Sequence, residues 1–545
     1  MNEKISISPE GEEFKLPSPD DHKKEFQKFK RIAEDQRKEG KEIVVVMGVG
    51  FVGVVMAAVV ADSDSNKFVI GMQRPSTRSF WKIPVINRGL SPVKSEDPDV
   101  DIIIDRCVNE KKNLIATYVY DVLGLADVVV VDVQCDYSKE EIGNVKSGEA
   151  EVIALENSIG IIAERIQPEC LVLIETTVAP GTTEQVAYPI IKKRFEKKGI
   201  DSEPLIAHSY ERVMPGKEYV RSIKDYWRVC SGVNEESKRR VVKFLEDVIH
   251  TDRYPLTVLD RPIESETAKI IENSYRASIL AFMDEWSKFA ERNGVDLKKV
   301  INAIKMRPTH SNIMFPGPGI GGYCLPKDGG LGVWSYKHIF GFEEDIFEMT
   351  PRSIDINDTR SFHVPQLMRD ALRNMDKPIA AAEIVLFGAS YKEDVGDTRY
   401  SGSEIIVRKL TEMGADVSVH DPYVDHWWEF EKQDTYPSLE HSLKRFFQRQ
   451  DKLKNLKVQK DLWKSMKGAD GIILAVRHDD YLNLDSDEVY EAVGKPFAII
   501  DCFMILDDDQ IRRYFELGCE VKGMGRGHVQ RIKKSVMREK MYGGR

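Results

Sequence analysis

Five short apolar runs in the first half of the chain are continuous rather than alternating: EIVVVMG, KFVIGM, DVVVVDV, CLVLIETT and, after an acidic helix, PLIAHS. A strand with one wet face alternates polar and apolar residues; an unbroken run has to be covered on both faces. Helical stretches separate the runs, so the pattern predicts a doubly wound α/β domain built on a parallel sheet. A second series begins near Ala382 with EIVLFGAS, DVSVHDP, GIILAV, FAIIDCF and CEVKGMG. Between the two, the stretch from about Pro262 to Gly294 repeats Ile279, Phe282, Met283, Trp286, Phe289 and Ala290 at helical spacing without a strand, and ends at a glycine. The chain of 545 residues is too long for one core. Its expected parts are a charged N-terminal extension (1–40), a first Rossmann-like domain (41–260), a central long helix with a loop region (261–375) and a second α/β domain (376–535).

Composition narrows the class. With 42% hydrophobic and 31% charged residues and a net charge of −10, this is an ordinary globular composition without the basic face of a general nucleic-acid binder. The seven cysteines include no CxxC pair, which suits a reducing, cytoplasmic compartment, and no metal centre is expected. The first 20 residues lack the apolar core of a secretory signal. Val44–Ala61 is long and apolar enough to suggest a membrane span, but its three spaced glycines read better as strand, turn and helix. In the extension, KKEFQKFKRIAEDQRKEG reads as a solvated helix without chemistry. A charged insert at 426–460 decorates the second domain, with its tryptophans read as core.

The first run ends in G-x-G-x-x-G: Gly48, Gly50 and Gly53, with Phe51 and Val52 between. The first glycine permits a tight turn, the second lets backbone approach a pyrophosphate, and the third lets helix pack on strand. Alone the pattern is weak, but between a buried strand and an apolar helix it predicts a dinucleotide site. The acid expected about 20 residues on, to hold the ribose hydroxyls of NAD, is missing: Gln73 and Arg74 stand there. Gln73 reads as a ribose ligand and Arg74 as stacking on adenine, or else Arg74 favours the 2′-phosphate of NADP; NAD is the expected cofactor and NADP is not excluded.

Cys324, in GIGGYCLPKD, lies on a glycine-rich loop next to Lys327 and Asp328, where positive charge would raise the thiolate fraction. Lys269 and Asn273 are four apart on one helical face, an ammonium and an amide able to stabilise an oxyanion together. Alone, the cysteine is as readily structural, and an isolated K-x-x-x-N is more readily a solvated polar face.

In order along the chain, GVGFVG, ETTVAPGTTE, HSYERVMPG, ETAKIIENSYRASILAFMDE, PGPGIGGYCLPKD, YKEDVGDTRYSGSEII and VSVHDPYV resemble the UDP-glucose/GDP-mannose dehydrogenase family from about Lys41 to His528. ERVMPG and ENSYRA resemble its branch acting on UDP-N-acetylated hexosamines, such as UDP-N-acetylmannosamine dehydrogenase. The resemblance implies an NAD-dependent, four-electron oxidation of a sugar's primary alcohol to the uronate through a thiohemiacetal and thioester on Cys324. It implies that Lys269 and Asn273 stabilise the oxygen at the reacting carbon, and that Asp328 orients thiol and water. Thr177 holds a water near the alcohol and the cofactor, and Glu211 is the base for thioester hydrolysis. Arg212, Lys269, Asn273, Gly321, Tyr323, Lys392 and Arg399 are the implied substrate contacts, Arg399 on the diphosphate. A homodimer or larger assembly is implied as well. The chain departs from the family's patterns at Tyr323, where His is common, at Gly329, where Pro often follows KD, and at Pro215, where the UDP-glucose branch carries Glu. Two other readings compete: a two-electron β-hydroxyacid-type dehydrogenase, which would not need Cys324, and a non-catalytic dinucleotide-binding scaffold.

Overall fold

The computed structural model describes residues 4–214, 216–431 and 450–542. Pro215 and the middle of the charged insert, 432–449, lie outside the described residues. The chain forms two compact units, one comprising Met1–Asp136, Ala150–Ile270 and Trp334–Glu343, the other Tyr137–Glu149, Ile271–Val333 and Glu344–Arg545.

In the first unit, helix α1 (Pro19–Lys38) precedes the sheet. It is not wholly solvated: Phe29 and Ala33 are buried, so the extension contributes apolar cover. Eight strands follow: β1 (Glu42–Met47), β2 (Lys67–Met72), β3 (Leu114–Thr117), β4 (Val128–Val131), β5 (Leu171–Ile174), β6 (Leu205–His208), β7 (Val229–Gly232) and β8 (Thr257–Val258). Their spatial order is β8-β7-β6-β5-β4-β1-β2-β3. All neighbours are parallel except the β6–β7 pair. The order β3-β2-β1-β4-β5-β6 is the doubly wound dinucleotide-binding arrangement. Helix α2 (Phe51–Asp62) takes up the rest of the apolar run that starts in β1, nine of its residues being buried. Among the described residues no helix is long and apolar enough to cross a membrane.

Helix α3 (Pro262–Asn293) is the single long helix that the periodicity predicts. In the second unit, β9 (Glu383–Phe387), β10 (Asp416–His420), β11 (Val458–Gln459), β12 (Gly471–Leu474), β13 (Ala498–Asp501) and β14 (Glu520–Gly523) form an all-parallel sheet in the order β11-β10-β9-β12-β13-β14. Ile384, Leu386 and Ile473 pack into one core cluster and Val385, Phe387 and Ile472 into another, as expected for strands covered on both faces. Of the insert's tryptophans, Trp427 is buried against Phe430 whereas Trp428 is exposed.

Candidate active site

The glycine turn after β1 is closed at its ends and open in its middle. Gly48 has φ +104°, and a Cβ there would sit 2.6 Å from the Asp132 carbonyl oxygen; one at Gly53 would sit 2.0 Å from the Gly48 carbonyl oxygen. Only glycine fits either place. At Gly50 nothing lies within 4 Å of the same point, and no side chain caps the start of α2. Uncapped amides at a helix N-terminus above an open turn fit the pyrophosphate of a dinucleotide. Phe51 is steadied by Tyr219, whose hydroxyl donates to the Phe51 carbonyl at 2.6 Å and whose ring stacks on it at 4.9 Å. At the end of β2, Gln73 is half-buried and Arg74 exposed.

Beside this turn lies a group of charges that the sequence did not single out. Glu175 and Arg228 are buried and form an ion pair. Burial, together with the Glu175 and Glu211 carboxylates, holds the Asp132 carboxyl well above the usual carboxylate range; its Oδ2 is shielded from solvent. Burial raises Glu175 too, against the pull of Arg228. The only hint in the sequence is an acid closing each of two apolar runs.

Thr177 follows β5 and is half-buried, with no side-chain hydrogen bond among the described residues. The loop beyond it is pinned to α3: Gly181 N and Thr183 N donate to Glu266 at 2.6 and 2.8 Å, and the Thr183 hydroxyl donates at 2.6 Å. Burial nevertheless pushes Glu266 up to about 7. One turn along, Lys269 is buried; its ammonium donates to the Glu211 carbonyl at 2.8 Å, lies 3.8 Å from that residue's carboxylate and sits 5.3 Å over the Tyr210 ring. Val213 N fixes the Glu211 carboxylate at 2.6 Å. Arg212 donates to the Tyr210 hydroxyl and the Trp227 carbonyl, both at 3.1 Å.

The next turn of α3 belongs to the second unit, where Asn273 donates to Asp328 at 2.7 Å. Asp328 opens helix α4 (Asp328–His338) and also accepts from the buried Lys327 ammonium at 2.9 Å. The Cys324 carbonyl accepts from the backbone amides of both residues, so the thiol stands one tight turn before them. Gly321 and Gly322, both at positive φ, let this loop lie against Tyr391: a Cβ on Gly321 would be 2.4 Å from that of Tyr391. Gly322 N donates to the Arg399 carbonyl at 2.9 Å. Arg399 is held to Asp397 by Nε and Nη2, the latter at 2.6 Å, and lies within electrostatic reach of Cys324. Lys392 is half-buried, its carbonyl accepting from the Ser390 hydroxyl. Cys324 is half-exposed; the other six cysteines are buried.

The family models for the UDP-glucose/GDP-mannose dehydrogenases match in series: the NAD binding domain at residues 42–249, the central domain at 263–354 and the UDP binding domain at 385–508. The chain belongs to this family. A UDP-N-acetyl-D-mannosamine dehydrogenase from Pyrococcus horikoshii is 26% identical over 488 residues, covering 89% of this chain and all of the relative. A UDP-glucose 6-dehydrogenase from Rickettsia bellii is 26% identical over 69% of this chain and 79% of its own. Among solved structures, an NDP-N-acetyl-D-galactosaminuronic acid dehydrogenase from Methanosarcina mazei superposes with a TM-score of 0.71 at 25% identity, over 91% of this chain and 98% of that one.

Two departures from the family's patterns have local causes. The Tyr323 ring meets two cations, the Lys327 ammonium 4.6 Å and the Arg399 guanidinium 5.2 Å from its centroid. A phenol ring supplies the negative π face that holds both beside the thiol. At Gly329 a Cβ would meet Ile354 and Thr350 at 2.7 Å and Ser274 at 3.1 Å. Close packing of α4 therefore favours the smallest residue there.

Proposed function

We propose that this NAD-dependent nucleotide-sugar dehydrogenase oxidises the C6 alcohol of a UDP-N-acetylhexosamine or UDP-hexose to the uronate, with Cys324 holding the half-oxidised carbon. The observation that carries this is Cys324 itself, the one cysteine that is not buried, set one turn before the Asn273–Asp328–Lys327 group and facing the charge of Arg399. NAD supplies, when bound, the hydride acceptor for each of the two oxidations. The thiolate adds to the C6 aldehyde, forming a C–S bond and a thiohemiacetal. Removal of the remaining C6 hydrogen leaves a thioester, and water attacking that carbon breaks the C–S bond and releases the acid. Lys269 and Asn273, one turn apart on α3, stabilise oxygen at the reacting carbon. Asp328 positions Asn273 and Lys327; Thr177 holds a water near the alcohol; Glu211, its carboxylate fixed by Val213, is the base for hydrolysis.

In this reading the Gly48–Gly53 turn binds the dinucleotide, with Thr177 close to it. Arg212, Gly321, Tyr323, Lys392 and Arg399 hold the nucleotide sugar, which is of the class named for the Pyrococcus and Methanosarcina relatives. The domain boundaries read from the sequence keep these roles apart: dinucleotide in 41–260, loop and central helix in 261–375, nucleotide diphosphate in 376–535. The chain acts as a homodimer or larger homo-oligomer. Ile271, Tyr275, Phe282, Trp286 and Phe289 are all exposed and fall on one face of α3, opposite the buried Asn273, Ala277 and Asp284. A reducing cytoplasm keeps the nucleophilic thiol available.

The test is a panel of UDP- and GDP-sugars, counting reduced cofactor per sugar consumed. Two per sugar are expected for the substrate, and Cys324→Ser should slow uronate formation by about 10³-fold or more. Uronate made at the normal rate by the serine variant would refute the thioester route.

A further inference from the structure

The glycine turn does not absorb the residues at the end of β2. β1 and β2 run in register with Met47 opposite Met72, and Gly48 N donates to the Met72 carbonyl at 2.9 Å. Gln73 and Arg74 therefore leave the sheet directly beside the turn that takes the pyrophosphate. This is where the ribose next to adenine lies in the doubly wound arrangement, and where a carboxylate ordinarily receives its two hydroxyls. Here an amide and a guanidinium stand instead.

The segment that follows is small and held in order by its own hydrogen bonds. Ser76 N and the Ser79 hydroxyl both donate to the Arg74 carbonyl, at 2.9 and 3.0 Å. The Ser76 and Ser79 hydroxyls lie 2.7 Å apart, and Phe80 N closes a further turn onto the Ser76 carbonyl at 3.0 Å. Gln73 N is tied to Thr117 of β3 at 3.0 Å, so the segment is anchored at its root. Arg74, Thr77 and Arg78 are exposed, and neither guanidinium forms an ion pair among the described residues. Most arginines in this chain are spent differently: Arg88, Arg106 and Arg228, for example, each face a carboxylate.

Charge points the same way. From Gly71 to Ser95 the chain carries Arg74, Arg78, Lys82, Arg88 and Lys94 and no aspartate or glutamate, in a protein whose net charge is −10. A carboxylate at the strand end would repel a phosphate monoester; two unpaired guanidinium groups with serine and threonine hydroxyls between them attract one.

We propose that the adenosine end of this site is built to accept a 2′-phosphate, so that NADP serves this chain no worse than NAD, with Arg74, Arg78, Ser76 and Thr77 around the extra phosphate. The inference rests on the dinucleotide reading of the Gly48–Gly53 turn but goes beyond the cofactor that the family's name implies. Neutral Gln73 leaves the unphosphorylated ribose of NAD acceptable as well.

Calorimetric titration of the full-length protein with 5′-AMP and with 2′,5′-ADP tests it without turnover. The expected result is that 2′,5′-ADP binds about tenfold more tightly than AMP, with the difference shrinking as salt rises, and that Arg74→Ala weakens 2′,5′-ADP far more than AMP, removing most of the difference. Arg78→Ala should reduce the difference in part. AMP binding equal to or tighter than 2′,5′-ADP overturns the proposal and leaves the dinucleotide reading standing. Failure of both probes, with NAD also failing to bind, overturns that reading together with the proposal. An Arg74→Ala variant that weakens both probes equally shows a general electrostatic role and likewise overturns it.

Discussion

The two sheets share a strand order, yet they treat the turn after their first strand in opposite ways. In the first fold Gly48 has φ +104° and donates to Met72; in the second, Gly388 has φ +102° and donates to His420 at 2.9 Å, a turn of the same shape. The next residue of each second strand decides what enters. In the first fold it is Gln73, and Gly50 faces open space. In the second it is Asp421, whose carboxylate fills its own turn, accepting from Ala389 N at 2.7 Å, Ser390 N at 3.1 Å, Tyr423 N at 2.8 Å, Val424 N at 3.0 Å and the His478 ring at 3.1 Å. The helix after β9 begins only at Gly402 and is capped by the Ser401 hydroxyl. One fold leaves its anion site for a ligand; the other supplies the anion itself, and presents Arg399 and the Cys324 loop instead. A shared topology thus says little about function until the residue at the second strand's end is read.

Three experiments strain this contrast. Asp421→Ala leaves four backbone amides and a histidine without their acceptor, so the variant should lose about 3–5 kcal/mol of stability in denaturant unfolding, without gaining affinity for AMP. A near-neutral effect would mean that the second turn is not self-filled. Gly50→Asp copies the second fold's solution into the first: φ −82° and open space accommodate the side chain, and its charge occupies the phosphate position. Dinucleotide affinity should fall about 100-fold with the melting temperature nearly unchanged; retained affinity would place the pyrophosphate elsewhere. The smallest effect is in titration. Glu266 in the first unit is raised to about 7 by burial, so the native state holds its proton more tightly than the unfolded chain does, and its contribution to stability is full below about pH 4.5 and declines as pH rises to 7. Asp421 is lowered, its hydrogen-bond donors outweighing burial, so its contribution is present above about pH 4 and is lost as acid protonates it. Glu266→Gln should therefore flatten the stability profile between pH 4.5 and 7 and leave the acid limb intact.

Much of this was legible from apolar runs and glycines. Continuous runs announce strands covered on both faces, and the glycine fingerprint announces the open turn, because both follow from local geometry. α3 was legible from its period. Less visible were features made by residues distant in sequence. Nothing in YCLPKD tells that the Tyr323 ring meets both Lys327 and Arg399, since Arg399 lies 76 residues beyond it. Asp132, Glu175 and Arg228 look like strand ends until the sheet brings them together. Asp421 is one acid among 89 acidic residues, and only the register of β10 against β9 aims it into a turn. The helix of the N-terminal extension looked solvated because its two buried residues, Phe29 and Ala33, are too few to raise an apolar stripe above its charges.

The distribution of sulfur has a consequence for the living cell. Burial pushes the Cys107 thiol up to about 12 and those of Cys230 and Cys519 up to about 11, and it raises Cys170 and Cys502 as well. An electrophile or peroxide diffusing past this protein meets one half-exposed thiol, that of Cys324, the group to which the proposed route assigns the half-oxidised carbon. On the proposed route, oxidation of that thiol stops uronate production without unfolding the molecule, and reducing it restores the activity.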